Sequence, residues 1–303
     1  SYGAANDAMT GIKEGDHLIG YGEVNTLDNI LFFTSKGTYG YVPVYEVDDA
    51  KWKEIGSHIN SKIKITSDEK ITDAFIVKDF KTNAYMISIT RHGLVKKTAI
   101  CEYEVSRNNK TMSNMKLLED DEVVQTYVAY EEDEILIASK KGYITRYPIS
   151  LIPATSPRSK GVKAMNLVED EIASALIYNN DNRQLVVFSD DCACKRMKLT
   201  DIDVTGRPTK GSMLCKKVKS KPYHIAYISL HDLNDEIVIA NSEIHKVVSK
   251  DIPLMAKDAT FSAMLKGITD FYLLKELPKV ELRELPKQEE VEEEDFEALS
   301  LFE

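Results

Sequence analysis

Ile135-Leu136-Ile137-Ala138-Ser139-Lys140-Lys141-Gly142, running on through Ile144-Thr145-Arg146, is the stretch from which the fold can be read. An apolar run ends in a small polar residue, two more polar residues and a glycine. A second run carrying basic side chains follows. Short β-branched runs broken by such a turn make a hairpin, and glycine at the turn accepts positive φ. The unit recurs. Residues 30–37 lead into Tyr39-Gly40-Tyr41-Val42, residues 86–93 into Leu94-Val95-Lys96-Lys97-Thr98, residues 185–192 into Cys194-Lys195-Arg196, and residues 237–243 into His245-Lys246-Val247. The equivalent positions Thr34, Thr90, Ser139, Ser189 and Ala240 lie 56, 49, 50 and 51 residues apart.

A second signal keeps the same period. Ile12-Lys13-Glu14-Gly15-Asp16, Ile63-Lys64-Ile65, Met115-Lys116-Leu117, Met165-Asn166-Leu167 and Met264-Leu265-Lys266 each precede another apolar strand. Four strands per fifty residues, repeated, cannot share one sandwich core; each unit is a small sheet that buries its faces against its neighbours. The reading is an all-β, propeller-like disc of about six four-stranded blades over residues 1–275, the first blade truncated. Ser1 opens the chain without Met, as a fragment of a longer protein would.

Composition narrows the function. The 303 residues carry a formal charge of −10, but residues 276–303 hold eleven acidic and three basic side chains, a net −8. The rest is nearly neutral, so its cations are free to segregate onto one surface. They recur at the hairpin turns and on the following strands: Lys36; Arg91, His92, Lys96 and Lys97; Lys140, Lys141 and Arg146; Lys195 and Arg196; Lys246. A radial repeat brings equivalent positions to equivalent places, and the expectation is a basic rim that holds duplex DNA through its phosphates without reading sequence. Arg158, Lys160, Lys163, Arg207, Lys210 and the cluster Lys216, Lys217, Lys219, Lys221 widen that band. A propeller scaffold for protein partners is the contrasting reading.

The units Thr90-Arg91-His92-Gly93-Leu94-Val95-Lys96-Lys97-Thr98 and Ser139-Lys140-Lys141-Gly142-Tyr143-Ile144-Thr145-Arg146 resemble the repeat of the C-terminal domain of the A-subunit of bacterial type IIA DNA topoisomerases. Lys13-Glu14-Gly15-Asp16-His17-Leu18-Ile19-Gly20 and Val42-Pro43-Val44-Tyr45-Glu46-Val47, with Trp52-Lys53 and His58-Ile59, resemble the topoisomerase IV branch in its Gram-positive form. The resemblance implies a β-pinwheel whose blades exchange strands and whose rim binds and bends duplex DNA. It implies a non-catalytic domain that presents crossings to the catalytic core of the same polypeptide. With an ATPase partner, that core would carry out ATP-dependent decatenation and relaxation. Gyrase carries a Q-R-R-G-G-K-G box where residues 2–13 stand here without arginine or Gly-Gly-Lys, so the gyrase domain is the alternative within the family.

Other chemistry finds no support. Cys192-Ala193-Cys194 with Cys215 has C-x-C rather than C-x₂-C spacing, and core cysteines are the expectation; no metal or other cofactor is implied. Four cysteines in a chain of this length suit a reducing cytoplasm. Apolar runs fall short of the ~20 residues that span a membrane. Residues 276–303 read as an acidic, disordered tail, a segment whose charge suits it to compete with DNA for the rim.

Overall fold

The computed structural model describes residues 17–50, 56–105, 109–179, 182–215 and 222–284. Its framework is five hairpins, each at a turn anticipated from sequence. In the first, β1 (Asn29–Thr34) turns into β2 (Thr38–Pro43), and β3 (Ile71–Val77) returns along β1. The second unit uses β4 (Tyr85–Thr90), β5 (Leu94–Ala99) and β7 (Val123–Ala129), and the third uses β8 (Glu134–Ser139), β9 (Tyr143–Pro148) and β11 (Ile172–Tyr178). The fourth has β12 (Gln184–Ser189), β13 (Cys194–Met197) and β15 (Ile225–His231), and the fifth β16 (Glu236–Ala240), β17 (Ile244–Val248) and β18 (Tyr272–Leu273). Gly37, Gly93 and Gly142 sit at the turns with φ of 70°, 89° and 90°, and Cys192 takes the same left-handed place at 59°.

The fourth strand of a blade comes from the next repeat. β6 (Met112–Ser113) follows the second hairpin but pairs with β2 of the first. β10 (Val162–Lys163) pairs with β5, β14 (Ser212–Met213) with β9, and Ser262 bridges to Cys194 of β13. The blades therefore exchange strands, as in a pinwheel. The returning strands β3, β7, β11 and β15 stand side by side, and with β18 they line an axial cavity of about 890 Å³. At roughly 4.8 Å per strand the exchanged strands lie about 14 Å farther out. The flat faces of the disc are strand ends; its perimeter is the flank of the exchanged strands.

Apolar clusters fill the space between successive blades. Ile87, Ile89 and Val95 of one blade meet Ile135, Ile137 and Tyr147 of the next. Phe188, Cys192 and Cys194 likewise meet Ile237, Ile239 and Val247, so these cysteines are core residues. Each blade thus buries what its neighbour needs covered.

Two expectations change. Among the described residues five sheets form rather than about six, with residues 17–21 adding only an isolated bridge from Tyr21 to Glu276. The boundary at 275 also moves. β19 (Lys279–Val280) pairs in parallel with β3 and buries Val280, bringing the end of the fifth unit onto the first blade. Lys275 reaches the buried Asp73 at 2.9 Å, and Lys78 binds Glu281 at 2.8 Å. Arg283 contacts Asp133 and Glu132 of the second blade and stacks 3.8 Å from the Tyr130 ring centroid. Residues 276–284 are a strap of the disc; residues 285–303 lie outside the described residues. Truncation after Glu284 is expected to leave the melting temperature unchanged, whereas truncation after Lys275 lowers it by at least about 5 °C, through lost apolar burial and unpaired carboxylates. Calorimetry of the two truncated chains checks this.

Candidate nucleic-acid interface

The cations anticipated at the hairpin turns and second strands fall into two places, and neither is the perimeter; the described ones among those anticipated to widen the band lie there. Hairpin tips lie at strand ends and so on one face of the disc. There each tip is tied to the residues just before the returning strand, as Arg91 N–H donates to Glu122 O and Lys140 N–H to Glu171 O. The acids of that segment neutralise the tips. Lys36 pairs with Asp68 at 3.1 Å, Arg91 with Glu122 at 3.1 Å, Lys140 with Glu171 at 3.9 Å, and the His92 ring lies 3.8 Å from Asp121. In the fourth blade the polarity reverses, with Asp190 3.4 Å from His224. Lys141 is exposed on the same face.

The cations of the second hairpin strands are turned inward in the second, third and fourth blades, while Lys246 of the fifth is exposed. Tyr41, Lys97, Arg146, Arg196 and Lys246 hold equivalent positions by hairpin register. Four of them reach carbonyls beside the 3-10 turn of the following blade: Tyr41 to Val105, Lys97 to Ile149 (3.3 Å), Arg146 to Leu199 and Ile202 (3.2 and 3.3 Å), and Arg196 to Ile252 and Lys250 (3.1 and 3.3 Å). Lys97 also pairs with Glu131 and Arg146 with Glu134. Lys246, in the last blade, pairs within its own hairpin with Glu236 at 2.9 Å.

One residue earlier, Lys195 is fully buried and its ammonium donates to the carbonyls of Leu214, Ala256, Lys257 and Ala259. Lys96 is 1% exposed and donates to Thr98. Burial pushes both amines down to about 8. Lys96, Lys97, Lys195 and Arg196 are thus withdrawn as phosphate contacts: a duplex cannot reach a buried cation already held by protein acceptors. Arg146 is occupied in the same way.

The perimeter is built by the loops that carry the exchanged strands. Residues 109–118 contain Lys110 and Lys116 and no acid; residues 153–168 contain Arg158, Lys160 and Lys163 and no acid; residues 204–215 contain Arg207 and Lys210 and no acid. Lys110, Lys160 and Lys210 are equivalent in register, each two residues before the first exchanged pairing at Met112, Val162 and Ser212. All three are exposed, and among the described residues none forms an ion pair. Lys210 lies 4.7 Å over the Tyr143 ring and shares a small cleft with Lys141. Arg207 is oriented by the carbonyls of Leu151 (3.1 Å) and Lys163 (2.8 Å). The loops press so closely on the preceding blade that a Cβ on Gly211 would lie 2.2 Å from Ile144 O, and one on Gly161 2.7 Å from Val95 O. The fourth loop departs from the pattern, with Thr260 at the lysine position and Asp258 nearby. Lys216, Lys217, Lys219 and Lys221 lie outside the described residues.

A family model described as "DNA gyrase C-terminal domain, beta-propeller" matches residues 28–78, 84–129, 133–179 and 184–231. The chain belongs to that family. It is similar to the A-subunit of DNA topoisomerase 4 of Bacillus subtilis (strain 168), 32% identical over 227 residues, covering 74% of this chain and 28% of the relative. The same-named protein of Staphylococcus epidermidis is 31% identical, covering 81% of this chain and 31% of the relative. The chain thus spans less than a third of these relatives. Among solved structures it is similar to the C-terminal domain of DNA topoisomerase IV, with a TM-score of 0.79, 32% identity, and 88% and 83% of the two chains covered.

Within this gyrase-type C-terminal domain, sequence reading weighted the conspicuous Lys-Arg pairs and passed over Lys110 and Lys116. The discriminating signal was the absence of acids inside the exchange loops themselves: residues 109–118, 153–168 and 204–215 contain none, whereas the hairpin tips fold back onto Asp68, Glu122 and Glu171. Arg146→Ala is expected to destabilise the domain by about 2 kcal/mol, leaving Glu134 and two carbonyls unpartnered. Lys160→Ala should change stability by less than about 0.5 kcal/mol. Urea unfolding of the two variants separates an inter-blade tie from a surface cation.

Proposed function

We propose that this domain binds duplex DNA along its perimeter, through phosphates, and presents the held segment to a topoisomerase catalytic core elsewhere in a longer chain. The observation that carries this reading is the set of acid-free exchange loops placing Lys110, Lys160 and Lys210 at one register on three successive blades. Cations at fixed angular intervals on a curved flank match a curved polyanion, and the binding energy comes from released counterions. Lys141 adds to the field from the adjoining face, where Lys36 and Lys140 are paired with acids. The full enzyme on this reading is topoisomerase IV, relaxing and decatenating DNA in the cytoplasm with its ATPase partner, and this domain makes and breaks no bond. The similarity to the A-subunit of topoisomerase 4 supports that assignment.

Replacing Lys110, Lys160 and Lys210 with Ala is expected to weaken binding to any duplex sequence equally. It should also flatten the plot of log K against log salt by about 3, near 0.9 for each phosphate no longer neutralised. Fluorescence titration of random-sequence duplexes at several salt concentrations measures both. An unchanged slope means that the perimeter is not the binding surface. Truncation after Glu284 is expected to raise affinity at low salt if residues 285–303 compete for the same cations; equal affinity in the two chains rules competition out.

A further inference from the structure

Two cations of the third blade converge from different segments. Lys141 stands at the turn of its hairpin, and Lys210 on the exchange loop laid over β9. Both border one cleft of about 210 Å³, whose walls include the Tyr143 ring, Leu167 and Val168. The two lysines are exposed, and among the described residues neither ammonium forms an ion pair. Val168 is 70% exposed although it is apolar. Asp170 also borders the cleft, but its Oδ1 is engaged by the backbone, accepting from Lys141 N–H at 3.0 Å and from Glu171 N–H at 2.9 Å.

Backbone pairing fixes the cleft. Ser212 and Met213, just after Lys210, pair with Ile144 and Tyr143. Asn166 N–H donates to Thr209 O at 2.7 Å and its side-chain amide to Pro208 O at 3.2 Å, which joins successive exchange segments beside Lys210. The Lys210 ammonium lies 4.7 Å from the Tyr143 ring centroid, a cation–π contact that orients it. The other blades do not repeat the arrangement. By register the counterparts of Lys141, Tyr143 and Lys210 are Lys36, Thr38 and Lys110 in the first blade, His92, Leu94 and Lys160 in the second, and Asp191, Ala193 and Thr260 in the fourth. Lys36 pairs with Asp68, the His92 ring lies against Asp121, and the fourth set holds no cation.

Two ammonium groups without carboxylate partners, set beside an apolar wall, complement one repeating unit of a nucleic-acid backbone. The phosphate takes charge-assisted donors, and the C–H face of the sugar takes hydrocarbon. Phosphate and sugar contacts of this kind fix the position of a duplex and carry no sequence information. Pockets that enclose a whole small molecule hold roughly 300–1,000 Å³; the smaller cleft takes part of a polymer. Resting on the perimeter reading above, we propose that this cleft seats one sugar–phosphate unit of the bound duplex. Its phosphate lies between the Lys141 and Lys210 ammonium groups, and its deoxyribose rests on Tyr143, Leu167 and Val168. The cations of the neighbouring loops attract the duplex without fixing it, and the third blade sets its height along the strands.

The test uses the 303-residue chain and a random-sequence duplex of about three helical turns. Reductive methylation of lysines, followed residue by residue by mass spectrometry, is expected to slow at least about fivefold at Lys141, Lys210 and Lys160 when duplex is bound. Lys81, exposed at the opposite ends of the strands, should react at its free rate. Inorganic phosphate at the same total phosphate concentration should protect none of them. Equal protection by inorganic phosphate makes the cleft a simple anion site and overturns the proposal. Protection of Lys160 without Lys141 and Lys210 overturns it and leaves the perimeter reading standing; no protection at Lys160 either overturns both. Tyr143→Leu, which installs the residue of the second blade, separates the seat from the charge. It is expected to weaken duplex binding at least about fivefold with the slope of log K against log salt unchanged, whereas Lys141→Ala flattens that slope by about 0.9. Unchanged affinity in a folded Tyr143→Leu chain overturns the proposal.

Discussion

The exchanged strand is the constraint on which this structure depends. No blade from the first to the fourth completes its own sheet, since each takes its outermost strand from the repeat that follows. The side chains reinforce the seam at the same point. Lys97, Arg146 and Arg196 extend from the covered strand into the carbonyls of the next blade's 3-10 turn, and Tyr41 does so in the first blade. Backbone pairing and a cation–carbonyl tie are thus made by the same neighbours. A repeat torn from the array would expose a strand edge and leave a desolvated charge without acceptors, so stability resides in interfaces between repeats.

That constraint sorts the basic residues. A lysine has one physiological charge but very different electrostatic reach according to what surrounds it. At a hairpin tip it meets the acids that precede the returning strand, and the pair nearly cancels at a distance. On the second strand of the second and fourth blades it is desolvated and held by protein acceptors, a structural part in the way a hydrogen-bonded core residue is. On an exchange loop, as at Lys110, Lys160 and Lys210, it stands in solvent with no acid inside the loop, and its field extends to about a Debye length. The third kind keeps its field in solvent.

The strap explains why this array is a disc. Val280 enters the core of the first blade from a parallel strand, and Arg283 continues to the second blade, where Asp133 and the Tyr130 ring hold it. The end of the fifth unit is thereby fixed against the start of the array. Curvature of the perimeter follows from that closure.

Much of the architecture was legible in the sequence. The spacing of Thr34, Thr90, Ser139, Ser189 and Ala240 set the number of hairpins, and the turn glycines set where they reverse. These are local matters of alternation and backbone freedom. Which strand a segment joins is not local: Val162 pairs with Val95 rather than with its own hairpin because the neighbouring blade presents an unfilled edge, and no property of Val162 announces that. The same holds for the site. Lys195 and Lys160 are both lysines in basic surroundings, yet one is sealed beneath the loop at 256–259 and the other rides on a loop of the same kind. Sequence alone determined the repeat, its period and its store of positive charge. Tertiary structure decided which of those charges face water, because burial depends on what a distant segment lays over them.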